Sequence, residues 1–146
     1  MCPAKQGVPI KNGLFVTPDP TDGKPRLLGS RCPHCGEVSF PQRHFCRKCS
    51  KPDQDNVTLG PWGRLYSYTV VRQRAPGYIG EVPYILGKVD LPEGERVLTL
   101  ITDYEEADLK TGAEMELVIK KLGEDENGNE VLTYMFRPAD KDRRNP

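Results

Sequence analysis

Residues Arg31–Ser50 read R-C-P-H-C-G-E-V-S-F-P-Q-R-H-F-C-R-K-C-S. Four of the five cysteines of the chain lie here as two Cys-x2-Cys pairs, Cys32 with Cys35 and Cys46 with Cys49, with ten residues between. A Cys-x2-Cys turn brings two thiolates onto one ion, and two such turns close a tetrahedral shell of four sulfurs around zinc. Gly36 follows the first pair where the turn needs a left-handed backbone, and Phe40, Pro41 and Phe45 supply apolar cover for so small a unit. The stretch therefore reads as a zinc ribbon, and the rest of the chain is organised around it.

Two disulfides are the competing reading of the same cysteines. Met1–Leu14 holds two prolines, two lysines and no apolar run, so it does not read as a secretory leader. The expected location is the cytoplasm, where thiols stay reduced and paired thiols bind metal more often than each other. Iron in a rubredoxin-like centre is the other candidate ion. Four thiolates leave no open coordination position, so the ion is expected to hold the fold and not to catalyse. With that ligand set complete, His34 and His44 read as surface residues, and Cys2, in a polar tail, as an unused thiol.

At 146 residues, with 36% hydrophobic, 29% charged and 14 each of glycine and proline, the composition suits a small, turn-rich β protein stapled by a metal. No stretch approaches the roughly 20 apolar residues of a membrane span, which excludes a helical membrane protein. Net charge is zero but unevenly placed. From Lys24 to Lys51 there are seven basic residues and one acidic, Glu37. Four thiolates and one zinc ion sum to a negative centre that offsets part of this excess. The remainder suits phosphates of a nucleic acid or of coenzyme A, or an acidic protein partner.

Taken in order, residues 1–30 read as an irregular arm with a proline-rich turn between Thr17 and Pro25, which must lie on the ribbon, on the second domain or on another protein. Residues 31–52 are the ribbon, 57–138 a second domain and 139–146 a polar tail. In the second domain Trp62–Arg74 reads as a long strand rich in aromatic and β-branched residues, and Tyr84–Leu91 with Val97–Thr102 as a hairpin turning at Pro92–Glu95. Met115–Leu122 and Val131–Arg137 flank Asn127-Gly128, a strong hairpin turn. No helix is expected after residue 50. The fold class is mainly β: an N-terminal zinc ribbon followed by a five-stranded barrel of the OB type. Closure is expected because five short antiparallel strands left open would expose two edges, with an open sheet packed on a partner as the alternative. The core is expected on Leu65, Val71, Ile85, Val89, Leu98, Leu100, Leu117, Ile119, Leu132 and Phe136, with the two faces of the first strand interchangeable because apolar residues occur in both phases.

The succession of the ribbon, then WGRLYSYTVV (62–71), APGY (75–78), PYILGKVDLPEGERVL (83–98), LKTGAEMEL (109–117) and YMFRP (134–138) resembles the DUF35 family from about Leu28 to Pro138. That resemblance implies a rubredoxin-like zinc ribbon joined to an OB domain, without chemistry of its own, accompanying thiolase-like or hydratase-like enzymes that act on acyl-CoA. It implies a hetero-oligomer with a thiolase-like subunit, and CoA or acyl-CoA shared with that subunit. Residues 1–26 depart from the family pattern, reading as a proline-interrupted hairpin and not a helix.

The residues agree with a non-catalytic role. A thiolase-type reaction needs a nucleophilic cysteine beside a base, and here four cysteines are spent on metal while both histidines lie in the ribbon. The candidate contact for partner or CoA is the first barrel loop, Ala75, Pro76, Gly77 and Tyr78 with Arg72 and Arg74. Pro76 sets its entry, Gly77 permits close backbone approach and Tyr78 offers a flat apolar face with a hydroxyl. The alternative is a module for single-stranded nucleic acid, with Tyr66, Tyr68, Tyr78 and Tyr84 stacking on bases. Zero net charge weakens that reading because little counterion would be released on binding.

Overall fold

The computed structural model describes residues 7–10, 13–16 and 24–139. The expectations for Cys2, for residues 17–23 of the proline-rich turn and for the polar tail beyond Ala139 lie outside the described residues. Within them the chain forms β1 (Gly7–Pro9), β2 (Phe15–Val16), β3 (Arg26–Arg31), β4 (Val38–Ser39), β5 (Asp55–Leu59), β6 (Trp62–Val71), β7 (Tyr84–Asp90), β8 (Arg96–Ile101), β9 (Glu114–Glu124) and β10 (Glu130–Pro138). A 3-10 turn, Glu106–Asp108, lies between β8 and β9. Among the described residues no helix is long and apolar enough to cross a membrane.

The first sheet is built on β3. One edge of it pairs with β5 from Leu27 to Arg31, and it also pairs with β2 at Arg26 and Leu27 and with β4 at Ser30 and Arg31. Gly29 is required where these strands crowd together, since a Cβ there would stand 2.7 Å from the carbonyl oxygen of Ser39. The segment expected to be an irregular arm thus contributes three strands. β1 runs parallel to β10, with Gly7 opposite Glu130 and the Ile10 amide donating to Leu132 O at 2.7 Å. It covers the part of the β10 edge that β8 does not reach, so the arm lies on the second domain by strand addition.

The second sheet closes into a five-stranded barrel in the order β6–β7–β8–β10–β9 and back to β6. Four of its ladders are antiparallel. The ladder between β8 and β10 is parallel, with Met135 opposite Leu100 and Phe136 opposite Ile101, which corrects the expectation of antiparallel strands throughout. The reason is topological: directions cannot alternate around a ring with an odd number of strands. This closed arrangement is the OB barrel.

Leu65, Ile85, Val89, Leu117 and Phe136 are buried as expected, each contributing about 1.5–3 kcal/mol by leaving water. The expectation fails in β8. Val97, Thr99 and Ile101 face inward, Leu98 is 54% exposed and Leu100 is only partly buried. V-L-T-L-I-T is apolar in both phases, so alternation cannot choose between them. Pairing with β7 decides it, by setting Val97 opposite Val89 and Ile101 opposite Ile85. Val71, Ile119 and Leu132 are half-buried, and Met115, Val131 and Met135 take buried places the sequence reading does not give them. The core is continuous between the two sheets: Leu27, Val38 and Leu59 of the first cluster with Leu65, Leu91 and Phe136 of the second.

Candidate metal centre

The two Cys-x2-Cys turns have the same backbone. In the first, the Cys32 amide donates to Glu37 O at 2.9 Å and the Gly36 amide to Cys32 O at 2.9 Å. In the second, the Cys46 amide donates to Lys51 O at 2.9 Å and the Ser50 amide to Cys46 O at 3.0 Å. Each turn ends on a left-handed residue, Gly36 with φ of 81° and Ser50 with φ of 64°. Only the first uses the residue type that adopts this conformation without strain, which is why Ser50 carries no sequence signal. In the second turn the amides of Lys48 and Cys49 donate to Cys46 Sγ at 3.3 and 3.4 Å.

This geometry brings four sulfurs together. Cys32 Sγ and Cys49 Sγ are 3.5 Å apart, as are Cys35 Sγ and Cys46 Sγ, and all four lie within 4.8 Å of one another. Sulfurs about 2.3 Å from a central ion in a tetrahedron stand about 3.8 Å from each other, so the donor set fits a zinc ion. The charges fit as well. Burial raises the Cys32 thiol, but amides of Cys35 and His34 outweigh it and bring the thiol down to about 6. The amide of Glu37 lowers Cys35, yet burial and the facing sulfurs of Cys46, Cys32 and Cys49 push it up to about 12. Four clustered thiols cannot all ionise against one another, and a dication removes that conflict. His34 and His44 are exposed and stand outside the cluster.

A second layer surrounds these sulfurs. Arg47, between Cys46 and Cys49, donates from Nη2 to Val38 O at 3.0 Å, from Nε to Glu37 at 3.4 Å and from Nη1 to Glu95 Oε2 at 3.0 Å. Glu95 belongs to the β7–β8 turn of the barrel and is 4% exposed. Burial alone would lower the Arg47 guanidinium, but Glu95 and then Glu37 hold it above its ordinary value. Sequence reasoning misses this clamp because its two members lie 48 residues apart.

The loop predicted from sequence lies at the far end of β6. Arg72, Arg74, Ala75, Pro76 and Gly77 are exposed, and the Tyr78 amide donates to Ala75 O at 3.1 Å, with Gly77 left-handed at φ of 82°. The Tyr78 ring stacks on Tyr84 with centroids 4.6 Å apart, and Arg74 Nη1 donates to Tyr78 O at 3.1 Å. Burial, followed by Tyr84, raises the Tyr78 hydroxyl. The structure thus joins Arg74 to Tyr78, whereas Arg72 makes no hydrogen bond or ion pair among the described residues. A groove of about 580 Å3, lined by Tyr78, Tyr84, Leu100, Tyr104, Leu122 and Met135, opens beside the loop.

A four-cysteine ribbon packed on a closed OB barrel defines the class of protein. Residues 23–53 match the family described as the ChsH2 rubredoxin-like zinc ribbon domain, and residues 56–120 the ChsH2 C-terminal OB-fold domain. A DUF35 domain-containing scaffold protein of Methanocaldococcus jannaschii is 33% identical over 78% of this chain and 82% of its own length. The benzoylsuccinyl-CoA thiolase subunit BbsA of Thauera aromatica is 30% identical over 84% of this chain and 87% of its own. Among solved structures, the Ltp2-ChsH2(DUF35) aldolase superposes with a TM-score of 0.62 at 28% identity, over 79% of this chain and 86% of that one. The chain belongs to the DUF35 family.

Proposed function

We propose that this chain is a non-catalytic, zinc-binding accessory subunit of a thiolase-type, acyl-CoA-processing complex in the cytoplasm, supporting either assembly of its partner or binding of the CoA substrate. The observation that carries this reading is the likeness over most of both chains to a protein named as a thiolase subunit. The chemistry of the residues supports it too. The four paired cysteines converge on one another, where they would hold zinc as a structural ion, and both histidines are exposed and stand outside the sulfur cluster. The benzoylsuccinyl-CoA thiolase of anaerobic toluene breakdown is the candidate enzyme.

The contact with partner or CoA is assigned to Arg72, Arg74, Ala75, Pro76, Gly77 and Tyr78. In support, the loop is exposed beside an open groove, its tyrosine stacks on Tyr84, and Arg72 is exposed and unpaired among the described residues, while Arg74 is held against Tyr78. Copurification from the native source, followed by thiolysis assays of the partner with and without this chain, tests the role. Activity unchanged on removal of the chain rejects it. Collapse of activity on removal, with Tyr78→Ala and Arg74→Ala harmless, rejects only the assignment of the loop. A chain that runs alone and binds single-stranded nucleic acid with a steep salt dependence would be the nucleic-acid module instead.

A further inference from the structure

We propose that Glu95, a residue of the barrel, is a positioning residue for the ribbon's metal centre, acting through Arg47, so that zinc affinity depends on how the ribbon is seated on the barrel. Every part of the Glu95 carboxylate faces this junction. Oε2 accepts from the Phe40 amide at 2.7 Å and from Arg47 Nη1 at 3.0 Å. Oε1 accepts from the Arg96 amide at 2.8 Å and from the same Nη1 at 3.2 Å. A carboxylate this buried is tolerable only when fully hydrogen-bonded and matched by a cation. Two of its partners, Phe40 and Arg47, come from the ribbon.

The position of Arg47 separates this from an ordinary fold-stapling ion pair. Its backbone is part of the second Cys-x2-Cys turn, one residue from Cys46 and two from Cys49. Its guanidinium also reaches Glu37 and Val38 O, which follow the first turn. One side chain thus spans both halves of the ligand set, and Glu95 holds it from the barrel. Outer groups of this kind fix where the ligands stand. Coupling is reciprocal: whatever the metal gains from Glu95, the Glu95 contacts gain from the metal. The connection continues into the barrel through the Arg96 amide. The Arg96 side chain lies over Tyr66 at 3.4 Å and pairs with Asp90 at 2.6 Å on the outer face of the sheet.

The test measures zinc affinity of the full chain by competition with a chromophoric chelator. Glu95→Gln keeps the shape and removes the charge, and is expected to weaken zinc binding about tenfold. In an Arg47→Met background the same step is expected to change affinity by less than about twofold, because the partner through which it acts is gone. Unchanged affinity for Glu95→Gln, or an equal loss in both backgrounds, overturns the proposal. The wild-type chain gives a second reading if a variant fails to fold. On chelation, amide exchange at Phe40 and Arg96 should accelerate while amides of β9 keep their protection. No change at Arg96, or uniform acceleration across β6 to β10, overturns the proposal.

Discussion

Phe40 of the ribbon meets Tyr134 of the barrel edge to face, with ring centroids 5.2 Å apart and planes at 89°. The Tyr134 hydroxyl completes the junction by donating to Leu98 O at 3.1 Å. This pair is one of the seams that make a ribbon and a barrel share a core. A double-mutant cycle of Phe40→Leu with Tyr134→Leu, read by urea unfolding, should give a coupling of about 1 kcal/mol. Additive losses would mean that the rings only fill space. Burial raises the Tyr134 hydroxyl above its ordinary value. The folded state therefore holds this proton more tightly than the unfolded chain, and its contribution is complete below the unfolded value and declines as pH rises through it. Tyr134→Phe should show a smaller loss of stability above about pH 10 than the parent chain.

The inward phase of β8 can be tested by neighbours of similar chemistry. Val97→Ala removes buried methyls opposite Val89 and should cost about 2 kcal/mol, whereas Leu98→Ala, at a site 54% exposed, should fall within about 0.5 kcal/mol of the parent. The reverse order in a denaturation series would restore the register expected from sequence.

The two left-handed turn ends make opposite predictions. Gly36→Ala forces a side chain into a backbone with φ of 81° and should destabilise the ribbon by about 1 kcal/mol. Ser50→Gly relieves strain at φ of 64° but adds freedom to the unfolded chain, for a net gain of about 0.5 kcal/mol. Thermal unfolding of zinc-loaded protein would show this, and loss of stability in Ser50→Gly would contradict it.

Asp125 ties the β9–β10 hairpin. Its carboxylate accepts from the amides of Asn127 and Asn129 at 2.9 Å each and from Asn129 Nδ2 at 3.3 Å. These contacts, the Asn129 amide first, hold it below its ordinary value against some burial. Its contribution is therefore present at neutral pH and lost as pH falls through the ordinary carboxylate value toward the lower folded one. The stability gap between the parent chain and Asp125→Asn should narrow across that acid window. A gap that stays constant would place the effect elsewhere.

Local chemistry determined much of this protein from sequence alone. Cysteine spacing marks the metal ribbon because two residues between thiols is a property of one turn, and Asn127-Gly128 marks its hairpin for the same reason. The alternation in Tyr84–Leu91 places Ile85 and Val89 correctly because only one of its faces is consistently apolar. The parallel ladder between β8 and β10 was not legible in the sequence: it follows from closing an odd ring with β9 placed beside β6. What tertiary structure alone decided are the matters in which local signals tie or are silent. Leu98 and Val97 are equally apolar, and only pairing with β7 chooses between them. Ser50 does the work of a glycine because the second turn copies the first. Gly7–Pro9 becomes a strand because β10 offers an edge that β8 leaves uncovered. Glu95 reads in sequence as one more charge in a polar turn, and becomes a buried anion because folding brings Arg47 and the Phe40 amide to it from a distant part of the chain.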